Sequence, residues 1–249
     1  MFKQITKGLY LIVVILVFWQ LGSELKLINP LIMPAPLDVL KSLFSMLLKG
    51  PLLIDIWSST KRVFVGFLFA SLLAVPLGII LGWNKSLAHY LVPAIELLRP
   101  IPPIAWIPLA ILWFGIGDSS SYFITTLASF FPIFINSFAG AKSVEKVHIN
   151  AALSLGASHK LIITHVLIPS TLPFIFTGMR LGLGVAWMSV IAAELIAARS
   201  GLGYMIQLQR MLLETQKVIA GMVVIGLIGF AMNLCMLYLQ RKFIPWKQD

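Results

Sequence analysis

Two charged side chains stand inside an otherwise apolar stretch: Arg180 and Glu194 lie between Phe174 and Ala198. Such groups are costly in hydrocarbon unless paired or hydrated, so each marks a structural bond or a contact with a polar cargo. They are 14 residues apart, about 21 Å along an ideal helix, and cannot pair within it. Arg180 is placed to attract an anion, to snorkel or to hold neighbouring carbonyls, with the structural role favoured. Glu194 is a poor anion ligand, and a structural or gating bond is expected. Thr125, Thr126, Ser129 and Asn136 put hydrogen-bonding groups in one apolar run, where pathway lining and interhelical contact are equally open. Trp106 and Trp187 are candidates for a constriction or, more simply, for packing. His148, His159 and His165 form no metal-ligand pattern and read as solvated loop residues; no metal site is expected. No Ser/His/Asp or paired-carboxylate arrangement stands out, so no catalytic residue is assigned.

The elements that must position these groups are membrane helices. Apolar residues are 59% of the chain and charged residues 11%, too few to cover a water-facing surface. Spanning hydrocarbon takes about 20 helical residues. Uncharged runs lie between Lys7 and Glu24 (16 residues), Arg62 and Lys85 (22), Arg99 and Asp118 (18), Asp118 and Lys142 (23), and Lys217 and Arg241 (23). With Phe174 to Ala198 they predict an all-α membrane protein of about six spans. The first is read as a retained helix in preference to a cleaved leader, because no small-x-small site follows it. The third is crowded by Pro100, Pro102, Pro103 and Pro108. It is expected to begin as an irregular turn and to become regular near Leu109.

Residues 1–59 are read as an N-terminal span followed by an interfacial amphipathic segment over Pro36 to Trp57. Residues 60–249 are read as a core of five spans. Leu202 to Gln216 is too polar to cross. The net charge of +10 is scattered at helix ends, which fits membrane anchoring and not nucleic-acid binding. With an even number of spans both termini share a side. The bias in Lys and Arg, ten against eight, favours termini in the cytoplasm. Cys235 has no partner in the chain.

The longest polar interruption on that side is 142–173. It predicts a short helix, a break at Gly156, a second short helix, and proline stops at Pro169 and Pro173. Small residues at Ala151, Ala152 and Ala157 would let another protein surface approach; an ordinary amphipathic connector is the plainer reading from composition.

Asn150-Ala151-Ala152, then Gly156, then Val166-Leu167-Ile168-Pro169, resembles the coupling signature of ABC-importer permeases, with Asn150 where that signature has glutamate. Leu98 to Pro108, Trp113 to Gly117, Gly178 to Trp187, Ala192 to Ala197 and Ser200 to Tyr204 are similar to permeases of the nitrate/sulfonate/taurine branch. The tail Leu239 to Trp246 looks most like taurine permeases.

The resemblance implies a type I ABC-importer permease with a cytoplasmic coupling helix, in a bacterial inner membrane. Asn150, Ala151, Ala152, Leu155, Gly156, Ala157, Ser158 and Pro169 would couple it to a separate ATPase. Trp106, Thr125, Ser129, Asn136, Arg180, Trp187 and Glu194 are the candidates for the pathway. The chain lacks a Gly-x-x-x-x-Gly-Lys-Ser/Thr loop, so no cofactor is expected on it; ATP and Mg would sit on two partner ATPase subunits. A second copy of the chain and a periplasmic or lipid-anchored binding protein complete the implied assembly. Taurine or an alkanesulfonate is the expected cargo, with nitrate, bicarbonate or a thiamine-precursor-like ligand as alternatives. An ATP-independent secondary transporter is a more distant reading, disfavoured by the coupling signature and the missing inverted repeat.

Overall fold

A computed structural model describes residues 2–25, 29 and 31–246, and every regular element among them is helical. The helix α1 (Phe2–Glu24) leads to α2 (Pro36–Lys49) and α3 (Leu52–Trp83). Then follow α4 (Lys85–Leu98), a 3₁₀ turn (Pro103–Trp106), α5 (Ile107–Phe114), α6 (Asp118–Lys142) and α7 (Lys146–Ser154). The short α8 (His159–Ile162) passes through a π-helical turn (Ile163–Leu167) into α9 (Ile168–Ala197), and α10 (Leu202–Met211) and α11 (Thr215–Phe243) end the fold. Among the described residues four helical runs are long and apolar enough to cross a membrane, α3, α6, the 39-residue run His159–Ala197 and α11, and α4 with Pro103–Phe114 makes a fifth if the bent pair is one span.

The centre of the fold is α6 clasped between α3 and α9, and small residues at four-residue spacing explain why. On α3 the stripe is Gly66, Ala70, Ala74, Gly78 and Gly82; on α9 it is Gly178, Gly182 and Ala186. A Cβ at Gly78 would lie 2.6 Å from the Ser137 Cβ and 2.9 Å from the Phe134 carbonyl oxygen. One at Gly182 would lie 3.0 Å from the Ser129 carbonyl oxygen. In hydrocarbon, where burying apolar surface gives no drive for helices to associate, such close backbone approach supplies the packing.

The third span begins as the expected irregular turn and is regular from Ile107; α4 and the segment Pro103–Phe114 meet at 82°. Prolines around the bend remove the backbone donors a straight helix would need, and α4 forms over residues to which no element had been assigned. The second span starts at Leu52 instead of Arg62, because Asp55, Ser59 and Arg62 are buried and bonded within the protein. Pro169 and Pro173 do not stop their helix. Pro169 falls in the first turn of α9, where a missing N–H costs little, and Pro173 is carried inside it.

The amphipathic α2 lays Val39 and Met46 into a cluster with Val224 of α11 and leaves Leu37, Leu40, Phe44 and Leu48 exposed. Cys235 is free and exposed.

Candidate functional site: an exposed hairpin and a buried ion-pair cluster

At one end of the bundle, α7 and α8 form a hairpin. The chain leaves α7 by a Schellman turn, with Gly156 N–H donating to the Leu153 carbonyl (2.9 Å) and Ala157 N–H to the Ala152 carbonyl (3.0 Å). Gly156 has φ +80°, a conformation that a residue with a Cβ resists. Ser158 then caps α8 by accepting from Leu161 N–H. No atom lies within 4 Å of a Cβ built at Gly156, so the turn faces open space. Leu155 is 89% exposed and Val147 70%. Exposed too are Asn150, Ala151 and Ser158, while Ala152, Ala157 and Pro169 are half-buried. The tight turn thus offers apolar side chains to the surroundings.

At the opposite end lies a cluster of which the sequence analysis names only Glu194, with a structural or gating bond expected for it. Asp55, Ser59 and Arg62 share one face of α3. Arg62 Nη1 donates to Glu194 Oε1 (2.7 Å) and to the Ser200 carbonyl (2.6 Å). Its Nε and Nη2 both donate to Asp118 Oδ1 (2.8 and 2.6 Å), and Nη2 also reaches Ser200 Oγ (2.8 Å). Glu194 accepts in addition from Ser59 Oγ (2.8 Å) and from Gly203 N–H (2.9 Å). Gly201 N–H donates to Asp55 Oδ1 and Leu202 N–H to Ser59 Oγ. The first-turn donors of α10 are thus satisfied by α3 and α9 and not by a cap of its own.

Arg62 and Glu194 are 3% and 1% exposed. A charged pair can persist at that depth only because nearly every polar atom has a partner. One arginine therefore ties together α3, the start of α6, the end of α9 and the turn into α10. The signal was present in the three-and-four spacing of Asp55, Ser59 and Arg62. It is hidden because Arg62 reads as the flank of a span.

The pathway candidates separate by environment. Thr125 is fully buried, its hydroxyl donating to the Ser121 carbonyl (2.9 Å) and lying against α3 at Gly66. Ser129 is fully buried, with its hydroxyl 3.4 Å from the Gly182 carbonyl of α9. Trp187 donates from Nε1 to the Ile225 carbonyl of α11 (3.1 Å). These three, with Glu194, lie at contacts between helices of this chain. Asn136 is half-buried, bonded to the Pro132 carbonyl of its own helix. Arg180 is half-buried beside a small cavity shared with Trp187 and Asn233. Trp106 packs at the edge of a cluster formed by Ile107, Ala110, Ile124 and Ala193. No single surface of the chain gathers all seven.

Comparison with known proteins accords with this geometry. Residues 74–248 match the family described as binding-protein-dependent transport system inner membrane component. The taurine transport system permease protein TauC of Escherichia coli is 41% identical over 98% of this chain and 90% of that protein. The putative aliphatic sulfonates transport permease protein SsuC of Bacillus subtilis is 34% identical over 98% and 88% of the two chains. The nitrate import permease protein NrtB of Synechocystis sp. is 31% identical over 95% and 88%. Among solved structures, an inward-facing MetNI methionine ABC transporter chain superposes with a TM-score of 0.67 at 19% identity, covering 77% of this chain and 95% of that one. The chain belongs to the family of binding-protein-dependent transport inner membrane components, with the fold of a type I ABC-importer permease, and is a multi-pass protein of the inner membrane.

Proposed function

We propose that this permease forms, with a second copy of itself, the translocation pathway for a small organosulfonate, taurine or an alkanesulfonate, driven by two ATPase subunits that grip the α7–α8 hairpin. The observation that carries the coupling role is the hairpin: an exposed Leu155 on a turn fixed by the left-handed Gly156. Movement of an ATPase surface holding this turn would be transmitted through α6 and α9, which leave the hairpin directly and pack along their stripe of small residues.

The organosulfonate reading rests on the 41% identity to the taurine permease and on 34% identity to a sulfonate permease. Nitrate is the second reading, supported by 31% identity to a nitrate permease. The sequence carries no phosphate-binding loop, which accords with ATP and Mg being held by the partner ATPase. A binding protein would deliver the cargo at the end of the bundle occupied by the Arg62 cluster.

Both termini are assigned to the cytoplasm. The C-terminal end of α11 lies on the hairpin side, where Phe243 stacks on Phe176 with ring centroids 5.9 Å apart. At its other end Thr215 bonds the Leu31 carbonyl, close to where α1 finishes. The excess of Lys and Arg on the side of the termini points the same way. Reconstitution with the ATPase and binding protein tests the reading: taurine or an alkanesulfonate should stimulate ATP hydrolysis, and a response to nitrate alone would favour the second reading.

A further inference from the structure

A cavity of ≈ 770 Å³ opens beside the hairpin, between the last turns of α3 and α6, the length of α4, and α7. Its rim holds Lys85, His89, Lys142 and Lys146 against a single acid, Glu96. None of the three lysines forms a salt bridge among the described residues. Lys142 only lies over the Phe138 ring, 5.6 Å from its centroid. Much of the remaining lining is apolar, with the half-buried Val92, Phe138 and Ile149 among its residues.

The placement of the lysines needs an explanation. Lys142 closes α6, where a cation suits the helix dipole. Lys85 is the first residue of α4, after the neutral N-cap Asn84, where the dipole is already positive and a lysine is unfavourable unless an anion sits nearby; Lys146 is the first residue of α7 and follows Glu145. The depth is informative as well. The cavity lies where α3 and α6, both of span length, come to their ends, with Trp83 at its edge. Tryptophans and lysines at the ends of apolar helices collect at the level of lipid headgroups.

We propose that this cavity binds an anionic phospholipid, its phosphate held by Lys85, Lys142 and Lys146 and its first acyl carbons lying along the apolar wall. An amphiphile with an anionic head uses both the lysines and the apolar part of the lining. The proposal rests on the cytoplasmic placement of the hairpin, since anionic lipid there attracts basic side chains. Lipid bound beside α7 would brace the helix that the ATPase pulls.

The test is native mass spectrometry of the full-length permease, without ATPase, offered phosphatidylglycerol and phosphatidylcholine of matched acyl chains. The wild type should retain phosphatidylglycerol preferentially. A K85Q/K142Q/K146Q variant should lose that preference by roughly tenfold or more, while Lys61→Gln, in the half of α3 away from the cavity, should leave it intact. Equal retention of the two lipids by the wild type would overturn the proposal whatever the variants do. Displacement of the lipid by millimolar taurine or nitrate would assign the rim to the transported anion instead. Unchanged lipid preference in the triple variant, with ATPase association lost in a parallel pull-down, would assign it to the ATPase. Because the lipid measurement omits the ATPase and the cargo, its failure leaves the importer reading untouched.

Discussion

Arg62 and Glu194 are 132 residues apart in sequence and joined by a 2.7 Å hydrogen bond in the fold. Their pairing closes the end of the bundle away from the hairpin. It also answers the question raised by a carboxylate in the middle of an apolar run: Glu194 has an arginine from another helix, a serine hydroxyl and a backbone N–H around it.

Removing one member of this pair should be worse than removing both. Arg62→Leu leaves Glu194 buried and uncompensated, and is expected to destabilise the protein by about 3–5 kcal/mol. The double variant R62L/E194L should recover a large part of that loss. Thermal unfolding of the purified permease in detergent would show it; a double variant no better than the single one would mean that Asp118, Ser59 and the α10 turn depend on Arg62 more than on its charge balance.

Gly201 should tolerate no side chain. Its φ is +108°, and a Cβ there would meet the carboxylate of Glu194. Gly201→Ala is expected to cost about 2 kcal/mol or more from backbone strain together with displacement of Glu194. A melting temperature equal to that of the wild type would mean that the turn into α10 is not held as described.

The small-residue stripe makes a contrast within one protein. Gly78→Leu would force α3 from α6 and should destabilise by about 1–3 kcal/mol. Gly226, where an added Cβ meets nothing within 4 Å, should accept alanine without loss. Comparing the two variants by thermal unfolding separates helix packing from the general propensity of glycine in a helix.

Gly156→Leu addresses coupling without touching the bundle. The left-handed conformation costs a residue with a side chain about 1–2 kcal/mol, so the Schellman turn should reshape or loosen. Membrane insertion should persist, while ATPase association and transport fall together. Wild-type association and transport in this variant would remove the role proposed for the hairpin.

Much of this architecture was legible in the sequence where one physical rule acted alone. Long uncharged runs gave the spans now seen as α3, α6 and α11, and Gly156 marked the break between α7 and α8. Legibility failed where tertiary contacts overrode a local rule. Arg62 reads as a span flank because a lone arginine belongs at an interface; only the convergence of Asp118, Glu194 and Ser200 makes burial affordable. Pro173 reads as a helix stop, yet α9 continues through it, held against α6 at Gly178 and Gly182. Thr125 and Ser129 were equally open to lining a pathway or bonding between helices. Their burial against α3 and α9 depended on stripes of glycine and alanine on those partners, which only a paired reading of the helices would reveal.

The most direct test of the central claim is ATP hydrolysis by the permease reconstituted with its ATPase and binding protein, with taurine, alkanesulfonates, nitrate and bicarbonate offered in turn. The account predicts stimulation by taurine or an alkanesulfonate, and its loss when Gly156→Leu replaces the wild-type permease. Stimulation by nitrate or bicarbonate but not by any sulfonate, with the same ATPase active, would contradict it.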